Sequence, residues 1–251
     1  MPQRPAPTLA ESIAAAQAWW REAGVDHAYH EEPPEWLTGG TQPDTAPSLD
    51  ADVASDPAEP AGSPVGGDRA AWPQDFASFG QWWVTEPSLN AGGTHPRLAP
   101  RGVAGAALLM LVPMPEDGDR ETLLAGPQGR LLASFAAAAG LAPDSVTVAA
   151  ALPRHTPMPD WDGLAASGHG EVLLHLLDLA CPRRTIVLGR NILPLLGHGP
   201  AQAAPAISEL TIQGRAVPLL TTYAPENLLK SARERAGLWQ RWLKWTDAEE
   251  R

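Results

Sequence analysis

The sequence predicts an α/β protein, a three-layer α/β/α sandwich around a central, mostly parallel sheet of four strands. Short apolar segments alternate with helical stretches from residue 76 onward, which is the pattern of βαβ units. The longest apolar run, residues 103–114, is about a dozen residues long, whereas a membrane-spanning helix needs roughly 20. This run is therefore predicted to be a buried strand.

The N-terminal part of the chain differs from the rest in composition. Residues 9–23 are predicted to form an amphipathic helix, with Thr8 as its N-cap and Gly24 at its C-terminal end. Residues 31–75 are rich in Pro, Gly, Ser, Asp and Glu and lack apolar periodicity, which predicts a disordered acidic linker. The predicted organisation is an N-terminal helix in residues 1–30, a linker in 31–75 and a folded domain in 76–251.

In the folded domain, strands and helices follow one another in order. Strands are predicted at residues 104–112, 145–151, 185–189 and within 208–223, where a hairpin is expected to turn at Gln213-Gly214. Helices are predicted at residues 126–140, 170–180, 191–196 and 226–245. Parallel sheets bind ligands at the carboxyl ends of their strands. The predicted ligand-binding loops therefore follow Val112, Ala151, Gly189 and Thr222.

Charge is distributed unevenly along the chain. The formal net charge of −11 disfavours a nucleic-acid partner. Residues 1–75 hold 3 Lys/Arg against 13 Asp/Glu, whereas residues 76–251 hold 15 against 16. The folded domain is thus nearly neutral, and its last helix is locally basic through Lys230, Arg233, Arg235, Arg241 and Lys244. Charge therefore leaves DNA binding open for this domain.

A single cysteine, Cys181, excludes an intramolecular disulfide and a cysteine-based zinc or iron–sulfur site. His155 and His169 are too few for a structural metal site, so neither a metal nor another cofactor is predicted. No secretory signal is evident near the N-terminus. A soluble, cytoplasmic chain without membrane association is expected.

Four segments carry a resemblance to a known family. They are MLVPMPEDGDRETLLAGPQGRLL (110–132), SVTVAAALPRHTP (145–157), LLDLACPRRTIVLGRNILPLLG (176–197) and TTYAPENLLKSARERAGLWQRW (221–242). In order and spacing they resemble the family-4, iron–sulfur type of uracil-DNA glycosylase. The resemblance covers roughly residues 100–245 and implies the fold of that superfamily and a context of base-excision DNA repair.

The resemblance also implies that most of the family's chemistry is lost. Pro113 stands in place of the first-loop Glu, and Leu124 in place of the aromatic that stacks on the flipped base. Ala150 replaces the Asn that reads uracil, and Ala224 the His that donates to the leaving base. Losing one preorganised donor costs about 10²–10³ in rate, so excision by the family's route is not expected. The third and fourth cluster cysteines fall near Arg154 and His169, which implies that the iron–sulfur cluster is missing.

Two acids and two glycines remain as candidate site residues. Glu116 or Asp117, at the tip of the first loop, could position a water molecule, or both could be solvated loop carboxylates. Gly126 and Gly129 open a helix whose backbone amides could hold a phosphate, or they could form a tight turn between helix and sheet.

The remaining candidates are DNA contacts. The Tyr223-Ala224-Pro225 loop resembles the family's DNA-wedging loop, or is a simple strand-to-helix turn. If the scaffold keeps its geometry, Arg130, Lys230 and Arg233 rim the strand-end cleft, where each would meet a phosphate. Trp239, Trp242 and Trp245 recur at helical spacing and are predicted to be core residues.

Three functional hypotheses follow. The first is a non-catalytic member of the uracil-DNA glycosylase superfamily that has been retained for DNA or protein binding in a repair context. The second is an active DNA base glycosylase with an altered site, in which Glu116 or Asp117 acts on water. The third is an interaction module that recruits a protein partner through its N-terminal helix and acidic linker and does not bind DNA.

Overall fold

The computed structural model describes Thr8, Ala10 and residues 65–89, 93–197 and 206–249. The chain divides into two units, Met1–Ala54 and Ser55–Arg251, and every element described below belongs to the second. Apart from Ala10, the predicted helix at residues 9–23 lies outside the described residues, as do residues 31–64 of the predicted linker. No helix in the described ranges is long and apolar enough to cross a membrane.

A single sheet of five strands organises the domain. Its strands are β1 (Leu108–Val112), β2 (Val146–Ala150), β3 (Thr185–Leu188), β4 (Ile207–Ile212) and β5 (Arg215–Thr222), in the spatial order β2-β1-β3-β5-β4. The pairs β2–β1, β1–β3 and β3–β5 are parallel, and β4 pairs with β5 in the antiparallel direction. The predicted α/β class and mostly parallel sheet are confirmed, but the sheet has five strands rather than four.

The fifth strand comes from the hairpin predicted at Gln213-Gly214. These residues have φ values of 51° and 80°, the left-handed backbone that two-residue hairpin turns favour. Pairing runs the full length of β4, from Ile207 opposite Leu220 to Ile212 opposite Arg215. The prediction of four strands was wrong because it counted this hairpin as a turn before a single final strand.

Helices surround the sheet. They are α1 (Phe76–Thr85), α2 (Pro127–Ala138), α3 (Trp161–Ala166), α4 (His169–Ala180), α5 (Pro225–Lys230) and α6 (Ala232–Glu249), with a 3₁₀ helix at Arg190–Leu196. α1 packs against α4 and buries Phe79 and Trp83. The aromatic segment at residues 76–84 is therefore a core helix of the domain.

The two faces of the sheet contribute to two separate cores. Leu109 and Leu111 of β1 pack in the core that contains helices α1 and α4. Leu108, Met110 and Val112 point to the opposite core, which α2, α5 and α6 complete. Because side chains alternate along a strand, burial of every residue of β1 requires cover on both faces.

The tryptophans of α6 are largely core residues, as predicted. Trp242 and Trp245 are each 4% exposed, and Trp239 is half-buried. Phe135 of α2 meets Trp242 edge to face, with ring centroids 5.5 Å apart. Arg184 lies over Trp242 and Trp245 at 5.9 and 5.7 Å from their ring centroids, so these rings are fully engaged within the domain.

The packed domain begins before Phe76. Trp72 is 5% exposed and belongs to the core beside α4, and its indole Nε1 donates to the carbonyl oxygen of Gly66 at 2.8 Å. The imidazole of His175 on α4 bonds the carbonyl oxygen of Pro73 at 2.7 Å. The composition of residues 65–75 predicts a linker, but the buried side chain of Trp72 ties these residues to the folded domain.

Candidate functional site

Apolar side chains fill the strand-end positions at which the resemblance implies the catalytic side chains of the family. Pro113, Leu124 and Ala150 are buried, and Ala224 is half-buried at the start of α5. The ring of Pro113 lies so close to Gly189 that a Cβ atom at that glycine would be 2.8 Å from the proline Cγ. Three of these four positions are therefore part of the packed interior.

Asp119 organises the loop between β1 and α2. Its side chain is 3% exposed, and its Oδ2 accepts hydrogen bonds from the amides of Glu116 and Leu124 at 2.9 and 2.7 Å. Its Oδ1 accepts from the amide of Ala125 at 2.9 Å. Charged acceptors form the stronger class of hydrogen bonds, so one buried carboxylate holds the loop in a single shape.

Glu116 lies on the N-terminus of α2. Its two carboxylate oxygens accept from the amides of Gln128 and Gly129, each at 3.2 Å, and the residue is 9% exposed. A carboxylate is favoured at this end of a helix by the unpaired amides and the helix dipole. The structure thus assigns Glu116 a capping role. In the altered-site hypothesis this same carboxylate acts on water, but here it accepts hydrogen bonds from the helix amides.

The contacts of Glu116 also bear on whether Gly126 and Gly129 form a phosphate-binding turn or a tight turn between helix and sheet. A Cβ atom at Gly126 would lie 2.7 Å from Glu116 Oε2, and one at Gly129 would overlap the carbonyl oxygen of Leu124. The amide N–H of Gly129 donates a hydrogen bond to Glu116, whose carboxylate takes the position that a phosphate would need. These contacts support the tight-turn interpretation of Gly126 and Gly129.

Asp117 lies on the surface beside two histidines. Its side chain is 79% exposed, and its Oδ1 is 2.8 Å from Nε2 of His95. The hydrogen bond with His95 holds the pKa of Asp117 below its usual value, and the charges of His95, His155 and Arg120 act in the same direction. Asp117 is therefore an ionised, paired carboxylate, which is a weak base towards water.

His95 and His155 lie together, whereas His155 and His169 are held by different neighbours. The rings of His95 and His155 are 5.0 Å apart between centroids, and His155 Nδ1 bonds the carbonyl oxygen of Pro115 at 3.0 Å. His169 instead packs against Trp83 with ring centroids 6.0 Å apart. Within the described residues, no group of three or more His, Cys, Asp or Glu side chains is placed to hold a metal ion.

We expect His169 to make the stability of the domain depend on pH. It is 3% exposed, its Nε2 bonds the carbonyl oxygen of Ala151 at 2.9 Å, and burial lowers its pKa below the ordinary value of about 6.5. Below that value the unfolded chain binds a proton that the folded chain does not. We expect the free energy of unfolding to fall as pH drops below about 6.5, by at most about 1.4 kcal/mol per pH unit from this residue.

Urea titrations at several pH values would measure this dependence. The His169→Gln variant should lose stability at neutral pH and show a smaller further loss between pH 7 and 5 than the wild type. Parallel curves for the two proteins would show that His169 does not contribute to the pH dependence.

Two arginines of the C-terminal region are held by internal hydrogen bonds. Arg235 Nη1 donates to the carbonyl oxygens of Leu228 and Leu229 at 2.7 and 3.0 Å, and Arg241 Nη2 donates to Thr222 Oγ1 at 3.2 Å. These two arginines stabilise the end of α5 and its junction with β5. They are committed to internal bonds, which their spacing in the sequence did not reveal.

A second group of residues faces solvent, and we call it the basic surface. It comprises Arg130, Tyr223, Lys230 and Arg233. Arg130 belongs to α2 and Lys230 to α5, and these helices pack against each other. Tyr223, 43% exposed, precedes α5, and Arg233 lies in the first turn of α6. Pro225 is buried as the first residue of α5, which is the position that proline favours in helices.

Comparison of the chain with models of known protein families and with curated proteins found no match in either case.

Proposed function

We propose that this chain is a non-catalytic relative of the uracil-DNA glycosylases, with their three-layer α/β/α sandwich, which binds DNA in a repair context without excising bases. The observation that carries the proposal is the filling of the strand ends. Pro113, Leu124 and Ala150 are buried apolar residues where catalysis would need a carboxylate, an aromatic ring and an amide. The four segments that resemble the family also follow one another in the family's order and spacing, which supports the proposed relationship.

The basic surface supports DNA as the partner. Arg130, Lys230 and Arg233 are exposed, and none of the three forms an ion pair with another described residue. Each can therefore approach a backbone phosphate without breaking an ion pair to a described residue. The half-exposed ring of Tyr223 adds a flat surface on which an unpaired base can stack.

The alternative of an active glycosylase has less support. Glu116 is engaged by two backbone amides, and Asp117 is paired with His95. The alternative of a protein-interaction module depends on residues 1–75, of which 1–64 are almost entirely outside the described residues. A DNA titration distinguishes the interaction-module alternative from the proposal, since only the proposal requires the folded domain to bind DNA.

The experiment is a titration of labelled single-stranded and duplex oligonucleotides, each containing one uracil, at two salt concentrations. Three phosphate contacts predict weak binding that weakens as salt rises. For each contact, the logarithm of the binding constant should fall by about 0.7–0.9 for each tenfold rise in salt concentration. The double variant Lys230→Glu, Arg233→Glu should lose at least tenfold in affinity. Alkali treatment should leave every strand intact, because no base has been removed.

Arg183→Glu is the matched control. Arg183 is exposed and lies just before β3, at the amino-terminal end of the parallel strands and therefore away from the strand-end loops. Its charge reversal should change affinity much less than the double variant does. Absence of binding at low salt would rule out the DNA proposal, and alkali-sensitive sites that depend on Glu116 or Asp117 would favour an active enzyme.

A further inference from the structure

A cavity of about 330 Å³ lies between α2 and the sheet, beside the outer edge of β2. Met110 and Val148 line it from the sheet, and Leu132, Ala133 and Ala137 line it from α2. Its volume falls in the range of small-molecule sites, about 300–1,000 Å³. Apolar side chains dominate the lining, so the interior is suited to a hydrocarbon group.

Small side chains on α2 keep this cavity open. Ala133 and Ala137 are one helical turn apart on the same face, and both are exposed at its rim. Met110 on the opposite side is 1% exposed and Val148 is 5% exposed. The cavity therefore has a buried apolar floor and a mouth that reaches solvent.

Arg101 is the charged residue among the described residues of the lining, and its backbone is held in place. Its amide donates to the carbonyl oxygen of Val148 at 2.9 Å, and the amide of Val148 donates back at 2.8 Å. The following segment is fixed by Thr147, whose hydroxyl bonds both backbone groups of Val103. The arginine is thus attached rigidly to the edge of β2, next to the cavity.

Arg101 is an exposed residue, and its side chain forms no ion pair with another described residue. A cation of this kind beside an apolar cavity complements a ligand with a hydrocarbon body and one anionic end. Arginine binds carboxylates through two parallel hydrogen bonds. We infer that this cavity binds a small aliphatic monocarboxylate, with its chain against Met110 and its carboxylate on Arg101.

A second feature of the lining narrows the ligand class. Beyond Arg101, the described residues of the lining include no cationic side chain. A phosphate ester or a dicarboxylate would leave charge uncompensated beside apolar residues, which is costly. One carboxylate on an unbranched chain satisfies both parts of the cavity, and octanoate is a suitable probe.

The test is a titration of the full-length protein, labelled with ¹³C at its methionine methyl groups, with octanoate. The Met110 methyl resonance should shift saturably, whereas that of Met158, which is 96% exposed and outside the lining, should not. Octanol, which has the same chain without the charge, should bind roughly tenfold more weakly. Arg101→Gln should weaken octanoate binding by a similar factor.

Two further variants test the location of the ligand. Ala133→Leu and Ala137→Leu place larger side chains at exposed positions of the rim, so the fold is retained while the mouth is blocked. Either should abolish the Met110 shift, and Arg183→Gln should leave it unchanged. A Met110 resonance that does not respond to millimolar octanoate would overturn the site. Equal affinities for octanoate and octanol, or full affinity in Arg101→Gln, would overturn the role of Arg101.

Discussion

Replacing Asp119 by alanine should lower the free energy of unfolding by about 3 kcal/mol. The carboxylate is 3% exposed and accepts hydrogen bonds from three backbone amides, those of Glu116, Leu124 and Ala125. Hydrogen bonds to charged groups contribute about 1.5–3 kcal/mol each, but bonds that share one acceptor group are not additive. Their joint loss would also leave buried amides without acceptors.

Urea denaturation followed by tryptophan fluorescence measures this loss. Glu121→Ala is the control, because Glu121 is an exposed acid in the same loop, and it should change the unfolding free energy by less than about 0.5 kcal/mol. Asp119→Asn should fall between the two, since an amide side chain keeps one acceptor oxygen. An Asp119→Ala variant as stable as Glu121→Ala would show that the loop does not depend on this carboxylate.

We expect Gly129→Ala to lower the free energy of unfolding by about 2–4 kcal/mol, an effect of similar size to that of Asp119→Ala. A Cβ atom at this position would overlap the carbonyl oxygen of Leu124, and a backbone atom cannot move aside as a side chain can. Leu124 is itself buried with φ at 54°, in the left-handed region that few leucines adopt. Relief of the overlap would therefore displace a residue that has little conformational freedom.

Gly118→Ala separates this steric effect from a general effect of removing glycine. Gly118 lies in the same loop, and nothing lies within 4 Å of the position its Cβ would take. This substitution should be neutral or slightly stabilising in thermal unfolding, because alanine reduces the entropy of the unfolded chain. Equal melting temperatures for the two variants would contradict the assigned contact between Gly129 and Leu124.

Local sequence patterns predicted the main elements of the fold. The uninterrupted apolar run predicted β1, and Gln213-Gly214 predicted the hairpin, because both signals come from neighbouring residues. No local pattern predicts α1, and the composition of the surrounding segment predicts that Trp72 lies in a linker. Both depend on packing against α4, about a hundred residues further along the chain. Composition averaged over a window does not detect a single buried side chain.

The roles of the candidate site residues were harder to predict, because they depend on contacts that form only in the folded chain. Glu116 and Asp117 were recognised as acids of the loop, but their roles depend on partners 12 to 22 residues away. Asp119 accepts the most side-chain hydrogen bonds of the three acids. No sequence pattern predicts this role, since its partners meet it only after the loop has closed. His95 belongs to the preceding segment, and only the folded chain brings it to Asp117.

The filling of the strand ends has an evolutionary consequence under the proposed ancestry. A return to base excision would require an amide side chain at Ala150, which is 2% exposed, and an aromatic ring at Leu124, which is 3% exposed. Each such reversion alone would bury a polar group without a partner or disturb a packed interior, at a cost of about 1–3 kcal/mol. No single reversion would restore catalysis to offset that cost. Selection acting on one substitution at a time would therefore oppose the first step, and the loss of chemistry would be effectively one-way.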